Sequence, residues 1–150
     1  MTPKIPPVLV VIVAGLLIWA ISRYVPSPSV IVPGKDLVAA VLVAVGAVVV
    51  VLGVVSFRRA STTVDPLHPE QASALVVSGV YRVTRNPMYL GFAIVLLAWV
   101  FYLSAWPALV VVVAYVAYIS RFQIEPEEQA LEARFGEAFL DYKQSVRRWL

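Results

Sequence analysis

Four residues of this sequence are well suited to joint chemistry: Arg85, Tyr89, Glu127 and Glu128. Arg85 and Tyr89 lie in GVYRVTRNPMYLG, residues 79–91, at the edge of the apolar run AIVLLAWVFYL. The two glutamates lie in EPEEQALEARFGEAFLDYKQSVRRW, residues 125–149. A guanidinium presents a planar fork of donors to an anion. A carboxylate taken out of water is costly without a partner, so a cationic or hydroxyl-bearing ligand suits it. Other chemistries are closed: no cysteine is present, hence no thiol nucleophile, disulfide or cysteine metal site, and His68 is the sole histidine. No metal is implied. The net charge of +3 suits anionic lipid better than a nucleic-acid groove, because no basic stripe interleaved with aromatics accompanies it.

Each cluster also has an ordinary explanation. Asn86 is a good N-cap and Pro87 suits a first helical turn. Arg82 and Arg85 would then snorkel at a membrane interface. Glu127 and Glu128 would favour a helix dipole, by about 0.3–1 kcal/mol each. Tyr81, Asn86 and Tyr89 together are not explained this way, although interfacial aromatics are common. The residues by themselves leave both readings open. If the helix starts early, Arg85 and Tyr89, four residues apart, share a face.

The elements that must position these residues are membrane helices. Of 150 residues, 61% are hydrophobic and 14% charged; soluble domains carry about a quarter charged residues. Mean hydropathy is +0.85. The sequence predicts an all-α integral membrane protein in one domain, with about four spans near 5–25, 37–57, 87–103 and 108–124. Each is long enough, or nearly so, for about 30 Å of hydrocarbon. The first run is too long for a signal-peptide core and lacks a cleavage site. Residues 58–86 read as a folded loop with one short helix, and His68 in LHPE as a loop residue. SAWP, residues 104–107, reads as a tight turn. Gly15, Gly46 and Gly53 are candidates for close helix packing. Ten of the 12 Lys and Arg fall on one side of these spans and two, Arg23 and Lys35, on the other. That asymmetry predicts cytoplasmic termini and a cytoplasmic 58–86 loop.

Residues 126–149 read as a C-terminal amphipathic interfacial helix. Leu131, Phe135, Ala138, Phe139, Tyr142, Val146 and Trp149 fall within an arc of about 100° at helical spacing. Arg134, Glu137, Asp141, Lys143, Arg147 and Arg148 fall outside it.

The two segments together resemble the paired signature of the isoprenylcysteine carboxyl methyltransferase family, membrane enzymes related in pattern to phospholipid N-methyltransferases. The resemblance rests on Gly79, Tyr81, Arg85, Pro87, Tyr89 and Gly91, then on Glu127, Glu128, Leu131, Phe135, Gly136, Phe139, Tyr142 and Val146. It covers about residues 63–148. It implies S-adenosylmethionine as cofactor, bound at the cytoplasmic end of the bundle. Leu75, Val76, Tyr81, Asn86, Pro87, Met88, Tyr89 and Glu127 would line the cofactor. Arg85, Tyr89 and Glu128 would carry catalysis. Arg121 and Gln123 would meet a lipophilic substrate drawn from the membrane lipid. Asn86 stands where many members have His, which removes an easy general base. Gln123 stands where carboxyl-methylating members carry Arg, which leaves a prenylcysteine carboxylate in doubt. The expected protein is a methyltransferase acting on a lipid or lipophilic small molecule in a bacterial or archaeal cytoplasmic membrane. The alternatives are phospholipid amine N-methylation, a non-catalytic binding or assembly protein, and a sterol-reductase-like enzyme.

Overall fold

The computed structural model describes residues 5–28, 30, 32–60 and 74–150. Lys4, His68 and the Pro66–Pro69 part of the expected loop lie outside the described residues. The described chain is all-helical, with no strand among the described residues. Its helices are α1 Pro7–Tyr24, α2 Lys35–Arg59, α3 Pro87–Leu103, α4 Leu109–Ile119, α5 Glu125–Phe135 and α6 Glu137–Ser145. Among the described residues, three stretches are long and apolar enough to cross a membrane: α1, α2 and a continuous 30-residue helix, Trp106–Phe135. α3 has 17 apolar residues, at the short end of the roughly 17–25 that span hydrocarbon.

Helix α3 sits at the centre and packs on α1, α2 and α4. Its contact with α2 is the most extensive because two glycines meet there. A Cβ on Gly91 would stand 2.6 Å from the Gly46 carbonyl oxygen and 2.5 Å from a Val50 methyl. No larger residue fits without separating the backbones. Gly15 plays no such part: nothing lies within 4 Å of where its Cβ would be, and its carbonyl accepts the Trp99 indole N–H at 3.2 Å. The core of the bundle gathers Ile18, Tyr89, Leu96, Val100, Tyr115 and Ile119. Outward apolar side chains such as Leu9, Leu16, Val41 and Val48 stay exposed, as a lipid-facing surface requires.

Two expected boundaries are corrected. The helix of the fourth expected span does not end before Pro126, because helix continues from Trp106 to Phe135. Pro126 has no N–H for the Phe122 carbonyl, and its ring crowds that oxygen. The helix widens to a π turn over Ser120–Ile124, where the Glu125 N–H reaches Ser120 O. Glu127 and Glu128 therefore open no free helix end, and the dipole explanation loses its basis. The helix expected over 126–149 is also broken. Gly136 adopts φ 54°, ψ −127°, a conformation that favours glycine strongly. α6 leaves at a new angle and ends at Ser145.

The break leaves most of the apolar arc working as one surface. Leu131, Phe135, Phe139, Tyr142 and Val146 form a second cluster with Val76, Tyr81 and Phe57. Tyr81 belongs to a 3₁₀ turn, Gly79–Arg82, which supplies the short helical piece expected between α2 and α3. Trp149 leaves the arc and packs on the bundle core instead.

Candidate functional site

The site forms where the start of α3 meets the start of α5. Pro87 at the first helical position starts α3 without losing a hydrogen bond. Tyr89 then falls one turn in, on the buried face. Its hydroxyl donates to Glu127 Oε1 at 2.5 Å, across 38 residues of sequence. The Tyr115 hydroxyl donates to the Tyr89 carbonyl at 3.4 Å and braces the same turn.

Glu128 points to a different set of partners. Arg148 engages it bidentately, Nε to Oε1 at 3.1 Å and Nη2 to Oε2 at 2.7 Å. Arg85 Nη1 lies 3.0 Å from the same Oε1. The Arg85 and Glu128 side chains are only 10% and 9% exposed, so this carboxylate is an anion held by two cations. The Arg85 contact is an ion pair without an aligned hydrogen bond: neither Nε nor Nη1 aims its N–H at an acceptor among the described residues. Hydrogen bonding to Glu128, more than the opposing desolvation, holds the Arg148 guanidinium above its ordinary pKa.

The segment after α6 fastens this arrangement. The Arg85 N–H donates to Arg147 O at 3.0 Å. Thr84 Oγ1 and Asn86 Nδ2 donate to Arg148 O at 3.3 and 2.9 Å. Asn86 thus spends its amide on a distant carbonyl, and no side-chain bond caps α3. Arg85 lies outside the helix, so it does not share a helical face with Tyr89. The Trp149 indole donates to Ser120 Oγ at 3.1 Å, tying the same segment to the π turn.

Other expected site residues separate into groups. Tyr81 is buried against Phe57, with ring centroids 5.3 Å apart, and its carbonyl accepts the Tyr142 hydroxyl at 2.7 Å. Burial foremost, then Tyr142 and Glu127, push the Tyr81 hydroxyl above its ordinary pKa, so it stays neutral. Leu75 and Val76 belong to the second cluster around it. Pro87 and Met88 face Gly53 of α2. Arg121 is exposed and pairs with Glu125. Gln123 is buried, and its amide donates to Ile5 O at 2.6 Å, a structural tie to the N-terminal segment. The structure brings together Arg85, Asn86, Tyr89, Glu127 and Glu128, adds Arg148 and Thr84, and engages Arg121 and Gln123 elsewhere. Arg148 escaped the sequence reading because helical phase placed it on the solvated side of a helix that has already ended.

The phospholipid methyltransferase family matches residues 35–138, from the start of α2 into α6. This chain belongs to the phospholipid methyltransferase family. That is a membrane methyltransferase family, consistent with the three spanning-length helices. A Haemophilus influenzae protein described as "Uncharacterized protein" is 44% identical over 63 residues, which are 42% of this chain and all of that one. No solved structure matches the chain. Within this family member, the match contains Arg85, Tyr89, Glu127 and Glu128; Arg148 lies beyond it.

An open groove of about 1030 Å³ lies elsewhere, between α1, α2 and α3. Val11, Leu16, Ala40, Val95 and Trp99 are among its lining residues, with Asp36 at one end. None of the expected site residues lines it.

Proposed function

We propose that the protein is an S-adenosylmethionine-dependent methyltransferase whose acceptor is a lipid or lipophilic molecule reached from the bilayer. The observation that carries this reading is the Tyr89–Glu127 pair, with the tyrosine buried and the glutamate half-buried, next in sequence to the Arg85–Glu128 ion pair. Together these two pairs offer a carboxylate, an aromatic ring and buried guanidinium donors. Those features suit a ligand bearing hydroxyls, a cation and an anion at once. When bound, S-adenosylmethionine supplies an electrophilic methyl group on a sulfonium. Glu127, oriented by the Tyr89 hydroxyl, would accept from ligand hydroxyls or face its positive charge. Tyr81 and Tyr89 would add aromatic surface for a cation. Arg85 would hold an anionic group. Asn86 cannot serve as a base near neutral pH, so alignment, rather than proton transfer by this residue, is what the site contributes.

The family match supports an acceptor of the phospholipid or isoprenylcysteine type. Within that range the absence of an arginine at position 123 favours phospholipid amine N-methylation; the Gln123 Nε2 donates to Ile5 O instead. The ten-to-two distribution of cations supports a cytoplasmic site end.

The test is transfer of a labelled methyl group from S-adenosylmethionine into extracted lipid by purified protein. Transfer into an amine-bearing phospholipid fraction is the expected result. Arg85→Lys keeps the charge but loses the planar fork, and should lower turnover. Asn86→His should be tolerated. Tight S-adenosylhomocysteine binding without transfer to any lipid fraction would favour a non-catalytic binding protein. Nicotinamide nucleotide binding in its place would favour a reductase.

A further inference from the structure

Glu128 is contested by two arginines. Its Oε1 lies 3.0 Å from Arg85 Nη1 and 3.1 Å from Arg148 Nε, and only Arg148 forms aligned hydrogen bonds to it. A guanidinium as buried as Arg85 normally has its N–H groups satisfied. Here Nε and Nη1 have no hydrogen-bond acceptor among the described residues. The backbone bond from the Arg85 N–H to Arg147 O fixes where this side chain starts. Bonds from Thr84 and Asn86 to Arg148 O fix the competing arginine beside it.

We propose that Arg148 is a positioning residue. By engaging both oxygens of Glu128 it keeps the Arg85 donors available for a ligand oxyanion, a carboxylate or a phosphate. The inference deepens the methyltransferase reading and rests on it for the ligand's identity. Without the Arg148 fork, Glu128 turns to Arg85, completes that pair and closes the anion position. The 147–149 segment, which packs across the start of α3 and the π turn, thus sets which donors a ligand meets.

The test uses the whole chain, purified in detergent, as wild type, Arg148→Met and Arg148→Lys. Arginine side-chain nitrogen NMR without ligand reads the first half. The Arg85 Nε–H resonance should shift in Arg148→Met and shift less in Arg148→Lys. Calorimetry reads the second half with three probes. S-adenosylhomocysteine carries a carboxylate, 5′-methylthioadenosine carries none, and a short-chain phosphatidylethanolamine carries a phosphate. Loss of about tenfold for S-adenosylhomocysteine in Arg148→Met, with methylthioadenosine unchanged, assigns the position to a carboxylate. The same loss confined to the phospholipid assigns it to a phosphate.

An unmoved Arg85 resonance in both variants overturns the inference. So does a shifted resonance with no loss for either oxyanion ligand, or an equal loss for all three probes, which means general collapse. Wild-type protein that binds none of the probes refutes the proposed function instead. The ligand-free NMR comparison still decides whether Arg148 sets the Arg85–Glu128 pairing. If Arg148→Met does not fold, Arg148→Lys carries the same comparison with a smaller shift.

Discussion

The two ends of the helix bundle both carry polar contacts between distant segments, but in opposite surroundings. At the end opposite the site, Ser27 Oγ donates to Ser104 O at 2.7 Å and Lys35 Nζ to Tyr102 O at 3.1 Å, both in exposed positions. These bonds join loops that water or lipid headgroups would otherwise satisfy, so their net contribution is small. At the site end, Glu128, Arg85 and Thr84 are buried. There each group must find a protein partner or a ligand. The same kind of contact is therefore loop fastening at one end and a constraint on chemistry at the other.

The comparison breaks most visibly at Glu128. Glu128→Ala leaves Arg85 as an unpaired buried cation, and the expected destabilisation is about 3–5 kcal/mol. Unfolding in detergent micelles would measure it; a loss under about 1 kcal/mol would place the site end in the same class as the opposite end.

Glu127 sharpens the contrast between structure and ligand binding. Glu127→Gln should weaken S-adenosylhomocysteine binding about ten- to a hundredfold, as expected from losing a charged hydrogen bond of roughly 1.5–3 kcal/mol. Glu132→Gln is the matched control, because Glu132 is 44% exposed and lies 3.6 Å from Lys143. Equal losses in the two variants would make the effect one of general electrostatics.

A smaller effect should appear with pH. Burial raises the Tyr142 hydroxyl pKa, with Arg85 opposing, and raises that of Tyr81 as well. A raised folded pKa means that the neutral hydroxyls stabilise fully below the unfolded value of about 10. That contribution is lost progressively as pH rises past it, because the unfolded hydroxyls ionise while the folded Tyr142 hydroxyl still donates to Tyr81 O. Thermal scans from pH 8 to 11 should fall only in the upper part of the range, by about 1 kcal/mol for each buried tyrosine. A decline beginning near pH 8 would point to another group. The smallest effect belongs to the opposite end: Lys35→Met should change stability by less than about 1 kcal/mol, and a loss as large as that of Glu128→Ala would erase the distinction drawn between the two ends.

Much of the site was legible in one dimension. Tyr89 and Glu127 stood out as polar residues beside apolar runs, but their pairing across 38 residues appeared only in the folded chain. The apolar arc from Leu131 to Val146 was also legible, because helical phase is a local property. It survived the break at Gly136 because α6 repacks the same residue types on Tyr81 and Val76.

By itself the sequence determined the helical class, the apolar stretches long enough to span a bilayer and the short polar segments that form the candidate site. Run length, composition and period are local quantities, and backbone hydrogen bonding in hydrocarbon leaves little besides helix for such runs. Tertiary structure decided who meets whom. It routed Asn86 and Thr84 to the Arg148 carbonyl, tied Gln123 to Ile5, and set Gly91 against Gly46. It also made α4 and α5 one helix by widening a turn before Pro126. These choices depend on the distances between helices, which no local period encodes. Whether Glu128 is a solvated carboxylate or an anion between two arginines was therefore decided only when the segment after α6 came back to the start of α3.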